Sequence, residues 1–114
     1  MLPAAHRLTD GDAFRHAVRR GRRAGGRTLV VHLVLTEDPL PPRVGLVVSR
    51  GVGNAVVRNR VKRRLRHLTR EHLHSLQGLS GSAVLVVRAL PASATASYAE
   101  LGADLDRCLS RVMS

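Results

Sequence analysis

The first regular pattern of hydrophobic positions predicts a short helix from Gly11 to Arg20. Phe14 and Val18 lie four residues apart, which places both side chains on one face of a helix. Thr9 or Asp10 can cap the helix, because a short polar side chain there accepts hydrogen bonds from free backbone N–H groups. The chain therefore opens with an amphipathic helix.

Three later segments have the aliphatic, β-branched composition and the length of strands. These segments are Thr28–Leu35, Val44–Ser49 and Ala83–Val87. Pro39, Pro41 and Pro42 mark a turn between the first two segments. We therefore expect these two strands to pair as an antiparallel hairpin.

Helical spacing returns between the second and third strands and again at the end of the chain. Asn54 can cap a long helix that runs to about Leu76, and a final helix is predicted from about Ser97 to Val112. The apolar stripe of the long helix consists of Val57, Val61, Leu65 and Leu68. This order of elements predicts one α+β domain, residues 1–114, with helices packed against one sheet.

Net charge adds a functional constraint to this fold. The 114 residues include 19 Lys and Arg against 8 Asp and Glu, a formal net charge of +11, and only Lys62 is a lysine. Such an excess repels itself within a compact domain and is neutralised by a polyanion, whose released counterions drive association. Arginine suits phosphate oxygens because its guanidinium is a planar fork of donors.

The long helix concentrates this charge. Seven of the thirteen residues from Arg58 to Arg70 are basic and none is acidic, so basic residues four positions apart repel one another. A phosphate backbone would remove that repulsion. A merely solvated face, or a calmodulin-like or membrane-binding helix, is the alternative. The purely aliphatic stripe, which the core needs, argues against the last two.

Other chemistry finds little support in the sequence. One cysteine, Cys108, excludes an internal disulfide and falls in an apolar helical pattern that predicts burial. His67, His72 and His74 lie near the end of the long helix, and we expect His72 to be partly packed and the other two to face solvent. We expect no metal site, membrane span or signal peptide, and therefore a cytoplasmic protein.

A long motif in the basic helix resembles the signature of the bacterial ribonuclease P protein family. The motif reads Gly53-Asn54-Ala55-Val56-Val57-Arg58-Asn59-Arg60-Val61-Lys62-Arg63-Arg64-Leu65-Arg66. Its core is Arg-Asn-Arg within the pattern Gly-Asn-Ala-Val-x-Arg-Asn-Arg-x-Lys-Arg. Three further segments are similar to the family's, and they are Arg7–Arg23, Arg43–Ser49 and Ser97–Leu101.

The resemblance implies a two-layer α/β sandwich with a four-stranded sheet and the order α-β-β-β-α-β-α. The additional strand would be short and would lie near Arg22 to Gly25. It also implies a left-handed β-α-β crossover around the basic helix, against the usual handedness.

The resemblance further implies a protein subunit of ribonuclease P, which helps a catalytic RNA remove the 5′ leader of precursor tRNA. The RNA and its Mg²⁺ would perform the chemistry, so we expect no catalytic residue or bound cofactor in the protein and no obligate protein partner. The residues expected to bind the RNA subunit are Arg58, Asn59, Arg60, Lys62, Arg63, Arg64 and Arg66. The residues expected to bind the leader are Phe14, Val18, His32, Arg50 and Arg88.

This sequence departs from the family pattern in the leader cleft. Val18 and His32 stand where the family has aromatic residues, and Gly51 replaces a basic residue. Phe14 and Tyr98 are the only aromatic residues. Phe14 can serve either base stacking or core packing, whereas core packing is the expectation for Tyr98. Leader recognition is therefore predicted to depend on Arg and His, and to be more salt-sensitive than in aromatic-rich relatives.

Three other functions are compatible with parts of the pattern. A ribosomal or other structured-RNA-binding protein would share the composition. A protein-only nuclease would need clustered carboxylates or histidines to hold metal ions. A DNA-binding protein could place the basic helix in a major groove, but no dimerisation heptads accompany it.

Overall fold

The computed structural model describes residues 2, 4–37, 40–79 and 81–114. Its helices and strands are α1 (Gly11–Arg20), β1 (Arg22–Gly25), β2 (Leu29–Thr36), β3 (Arg43–Val47), α2 (Ala55–Glu71), α3 (Leu73–Gln77), β4 (Ser82–Ala89) and α4 (Tyr98–Met113). Two 3₁₀ turns, Ala4–His6 and Pro91–Ala94, complete the regular structure. The predicted α+β class is confirmed, and the short β1 has the bounds that the family resemblance implied. Of the three prolines predicted to mark a turn, Pro39 lies outside the described residues.

The four strands form one mixed sheet in the order β1-β2-β4-β3. The predicted β2–β3 hairpin is wrong, because β4 lies between these strands, antiparallel to β2 and parallel to β3. From Ala83 to Val87, β4 is fully buried on both faces. A continuous apolar run of this kind is stable only in the centre of a sheet, which explains its position. The unit β3-α2-β4 is thus a parallel β-α-β crossover. The left-handedness implied for this crossover stays a prediction.

The larger core lies between one face of the sheet and the helices α2 and α4. In α2 the predicted stripe is confirmed, since Val61, Leu65 and Leu68 are buried and Val57 is half-buried. Asn54 caps α2 as predicted and accepts a hydrogen bond from the Val57 N–H at 3.0 Å. The basic helix is therefore fixed in rotation, with its polar side turned away from the sheet.

The predicted long helix is interrupted at His72, where the chain passes from α2 into α3. The His72 N–H donates to the Thr69 carbonyl at 3.0 Å, and its Nε2 lies 2.8 Å from an Asp106 carboxylate oxygen on α4. This change of direction lets Leu73 and Leu76 reach the core. His72 is half-buried and His67 and His74 are exposed, as expected.

The opposite face of the sheet is only partly covered, by α1. Asp10 caps this helix, and its side chain accepts a hydrogen bond from the Asp12 N–H. Ala17 is fully buried against Val84 and Val86 of β4. Because α1 is short, it leaves the end of the sheet next to it open, and a groove forms there.

The last helix, α4, is tied to the β1–β2 turn by a buried carboxylate. Asp104 is 4% exposed and accepts hydrogen bonds from the Thr28 N–H and hydroxyl at 2.9 and 2.5 Å. Cys108 is buried, as predicted. The expectation that Tyr98 packs in the core is wrong, because the residue is 42% exposed. The buried stripe of α4 begins one turn later, at Leu101.

Candidate nucleic-acid interface

The outer side of α2 presents most of the residues predicted to bind the RNA subunit. Those exposed to solvent are Asn59, Arg60 and Arg63, and those half-buried are Arg58, Lys62, Arg64 and Arg66. Arg70, one turn beyond, is also exposed. We call Asn59, Arg63 and Arg70 the outer face of α2. Their helical angles fall within about 40° of one another, so the face is a narrow stripe opposite the apolar one.

Two of the predicted residues have partners within the protein. An Arg60 guanidinium nitrogen donates to the Ala94 carbonyl at 2.9 Å, and one from Arg64 donates to the Ala96 carbonyl at 3.1 Å. Both side chains therefore lie along one flank of α2, toward the connection between β4 and α4. Helical spacing puts both residues beside the apolar stripe, but the sequence does not identify these acceptors.

The other flank of α2 meets the N-terminal segment. Lys62 and Arg66 line a pocket of about 250 Å³ together with Arg7, beside the β3 residues Val44 and Leu46. Arg7 is held there by a bridge to Val44 and by a hydrogen bond from its Nε to the Leu2 carbonyl at 3.1 Å. The basic surface of α2 therefore continues onto residues near the start of the chain.

A groove of about 600 Å³ opens on the other face of the sheet, where β3 and β4 end beside α1. It is lined by Phe14, Arg15, Val18, Arg19, Val47, Ser49, Arg88, Ala89, Leu90 and Pro91. Val47 and Arg88 are paired across the parallel strands and form part of its floor. The groove thus combines apolar surface with three arginines, and none of its lining residues is acidic.

Phe14 serves both the core and the groove, which the sequence had left open. A Cβ placed on Gly45 would lie 2.9 Å from the Phe14 ring, so the ring packs directly over the bare backbone of β3. The side chain is nevertheless half-buried and lines the groove. Glycine at residue 45 therefore sets how deeply the ring sits and leaves part of it open to a ligand.

The remaining predicted leader residues lie at different depths. Arg88 lines the groove, whereas Arg50 is exposed in the loop beyond Ser49 and does not line it. His32 shares the sheet face of Arg88 but is buried, and neither ring nitrogen has a hydrogen-bond partner in the described part of the chain. Burial, and then the charges of Arg88 and Arg23, lower the pKa of His32.

Seven groove residues were not predicted from the sequence, and they are Arg15, Arg19, Val47, Ser49, Ala89, Leu90 and Pro91. Arg15 and Arg19 follow Phe14 and Val18 by one position, so the helical spacing that identified the apolar pair also carries this basic pair. Val47 and Ser49 continue the alternation of β3 beyond Gly45. The missing information was which strand lies beside α1, and this depends on the sheet order.

A metal centre is not built by the described residues. No three His, Cys, Asp or Glu side chains among residues 2, 4–37, 40–79 and 81–114 lie close enough together to hold an ion. Within the same ranges no helix is long and apolar enough to cross a membrane.

A small α+β domain with a basic helix on one layer and a basic, partly apolar groove on the other defines an RNA-binding protein. The chain belongs to the ribonuclease P protein family, whose model, described as Ribonuclease P, matches residues 2–113.

Relatives and solved structures agree with this assignment. A ribonuclease P protein component from a Nocardioides species is 68% identical, with 98% of this chain and 95% of the relative covered. One from Streptomyces griseus is 52% identical, covering 99% of this chain and 96% of the relative. The fold matches the ribonuclease P protein of Staphylococcus aureus with a TM-score of 0.79 at 22% identity, covering 96% of this chain and 98% of that one.

The family prediction is therefore confirmed, and with it the prediction of a protein component of ribonuclease P, a ribonucleoprotein endonuclease that processes the 5′ end of tRNA. The ribonuclease P RNA is its partner.

Proposed function

We propose that the chain binds the RNA subunit through α2 and holds the single-stranded 5′ leader of precursor tRNA in the groove beside α1. The observation that carries this proposal is the composition of the groove. Phe14 offers a ring on which a base can stack, and Arg15, Arg19 and Arg88 surround it with positive charge. Aromatic platforms combined with a basic channel are how proteins bind single strands without reading sequence.

The two surfaces can be occupied at the same time, because they lie on opposite layers of the fold. The outer face of α2 points away from the sheet, whereas the groove opens on the face that α1 covers. The α2 surface is convex and carries no aromatic residue, so it suits the phosphate backbone of a folded RNA. One protein can thus contact the RNA subunit and the substrate together.

We further propose that the RNA subunit and its Mg²⁺ perform the cleavage. Most acidic side chains in the described ranges have structural roles, and none of them lines the groove. Asp10 caps α1, Glu100 completes the capping box of α4 with Ser97, Asp12 pairs with the groove residue Arg15, Asp104 pairs with Thr28 and Arg107, and Asp106 pairs with His72. A metal-dependent protein nuclease would instead direct several carboxylates into its substrate cleft. The proposed compartment is the cytoplasm.

Reconstituted cleavage of a precursor tRNA at low Mg²⁺ tests both parts of the proposal. The reaction contains the cognate ribonuclease P RNA, the purified protein, or both. The proposal expects a cut at the mature 5′ end only from the mixture. A protein that adds nothing to its RNA would refute the assisting role. Cleavage by nuclease-treated protein alone would refute the assignment of chemistry to the RNA.

A further inference from the structure

One short segment of the chain contacts both α2 and the groove. This segment is the β4–α4 connection, residues 90–97, which includes the second 3₁₀ turn. Its first residues, Leu90 and Pro91, line the groove. Its later carbonyls, on Ala94 and Ala96, accept the hydrogen bonds from α2. The connection therefore passes from one layer of the fold to the other.

The two halves of the β4–α4 connection are held by different means. The Leu90 N–H donates to the Thr28 carbonyl at 2.8 Å, and the buried Ser93 donates through its N–H and its hydroxyl to the Leu90 carbonyl. These bonds anchor the first half to the β1–β2 turn and to itself. The second half is joined to α2 by the guanidinium groups of Arg60 and Arg64.

Arg60 and Arg64 are better placed to bind the β4–α4 connection than to extend the outer face of α2. Arg60 and Arg64 are one helical turn apart, so two like charges lie side by side on one flank. Two carbonyl oxygens placed against them offset this repulsion without any RNA. Because a guanidinium offers five N–H donors, each side chain can hold a carbonyl and still face a phosphate.

We propose that Arg60 and Arg64 are positioning residues for substrate binding, which hold the β4–α4 connection so that Leu90 and Pro91 close the end of the groove. The inference rests on the proposed leader-binding function. It separates these two residues from Arg63 and Arg70, which belong to the outer face of α2 and form no such hydrogen bond within the part of the chain that the structure describes. The helix that docks on the RNA subunit thereby also shapes the site that receives the leader.

The test compares two double variants in the assembled holoenzyme, with protein at a concentration that saturates the RNA subunit. Arg60→Gln with Arg64→Gln removes the two bonds to the connection, and Arg63→Gln with Arg70→Gln removes the same charge from the outer face. The measured quantity is the leader preference, defined as the Kd of mature tRNA divided by the Kd of precursor tRNA with a leader that crosses the groove.

We expect the leader preference to fall about tenfold in the Arg60/Arg64 variant, because two hydrogen bonds from charged donors are lost. It should change less than about twofold in the Arg63/Arg70 variant, whose losses are confined to RNA-subunit affinity. Equal loss in both variants would overturn the positioning role. A wild-type leader preference of one would instead refute the proposed leader groove itself.

Amide hydrogen exchange of the free protein gives a second readout that involves no RNA. Exchange at residues 92–97 should be faster by about tenfold in the Arg60/Arg64 variant than in wild type, measured relative to the β4 amides. The Arg63/Arg70 variant should show wild-type exchange in this segment. Unchanged exchange at residues 92–97 in the Arg60/Arg64 variant would contradict the inference.

Discussion

The outer face of α2 and the groove beside α1 are both basic, yet they are built in different ways. The α2 face comes from one helix, is convex and consists of polar side chains that extend into solvent. The groove is assembled from α1, β3, β4 and the β4–α4 connection, and it mixes an aromatic ring and aliphatic side chains with arginines. The first surface suits binding through charge, whereas the second adds shape and stacking. Substitutions should therefore separate the two.

The largest effect is expected at a buried site that belongs to neither surface. Asp104→Ala leaves the Thr28 N–H and hydroxyl without their acceptor and should lower the free energy of unfolding by about 3 kcal/mol. Thermal or urea denaturation measures the loss. Asp106→Ala is the control, because its exposed pairing with His72 should contribute under about 1 kcal/mol. Similar losses in both variants would contradict this account of α4.

The same carboxylate makes stability depend on acid pH. Burial opposes ionisation of Asp104, but the hydrogen bonds from Thr28 and the charge of Arg107 outweigh it, and the pKa is lowered. A lowered pKa in the folded state contributes stability above the ordinary carboxyl range, and this stability is lost as the pH falls through the folded value. The difference between wild type and Asp104→Ala should therefore narrow only below about pH 4.

Charge reversal on the outer face should affect RNA-subunit binding first. Arg63→Glu is expected to weaken the affinity for the RNA subunit by roughly 10- to 100-fold, since a charge-assisted contact is replaced by repulsion. The dependence of affinity on salt should also become shallower, by about one unit of slope for the lost phosphate contact. Filter binding across a salt series measures both quantities. Arg111→Glu on α4 makes the same charge change, and an equal loss there would refute a localised α2 interface.

Substitutions in the groove should weaken binding of the leader and leave binding of the RNA subunit unchanged. Phe14→Leu keeps an apolar side chain over Gly45 but removes the stacking ring, and it should weaken leader-dependent substrate affinity by about tenfold. RNA-subunit affinity should be unchanged. Val47→Ala is the matched control, because it shortens a side chain of the groove floor but leaves the Phe14 ring in place. If Phe14→Leu leaves leader affinity at the wild-type value, the ring serves only the core.

The difference between the two surfaces also explains what could be predicted from the sequence. Features contained in one element were predictable, because helical spacing fixes which residues share a face. The apolar stripe of α2, the Asn54 cap and the bounds of α1 are examples. Features that depend on pairing between distant segments were not. A continuous apolar run like that of β4 is typical of a central strand, but the prediction did not use it and assumed that strands adjacent in the chain pair, which produced the incorrect β2–β3 hairpin.

The same limit applies to individual side chains. Tyr98 has the helical phase of the buried stripe, and only the position of α4 on the sheet shows that the stripe starts at Leu101. Arg60 and Arg64 were grouped with the RNA-binding residues by the family motif and their charge. Their carbonyl acceptors are more than 30 residues away along the chain, where no local pattern connects them. The β1 strand came from the family resemblance, since four residues carry too little periodicity.

The smallest expected effect is that of His32 on stability. The protonation state of His32 also determines whether its charge contributes to leader binding. Its pKa is lowered in the folded state, so folding favours the neutral ring, and stability is lost as the pH falls below the ordinary histidine value of about 6.5. The loss is at most about 1.4 kcal/mol per pH unit. His32→Phe should abolish this part of the pH dependence of unfolding, whereas His67→Gln, at an exposed position, should retain it.

Leader binding at pH 7 gives the complementary test of the predicted dependence on Arg and His. A neutral, buried His32 adds no charge there, so His32→Phe should leave the salt slope of leader affinity at its wild-type value. Arg88→Gln should reduce that slope, since Arg88 lines the groove and carries a full charge. A slope that falls equally in both variants would show that His32 is protonated when the leader is bound. The groove would then use histidine as well as arginine charge, as the sequence alone had suggested.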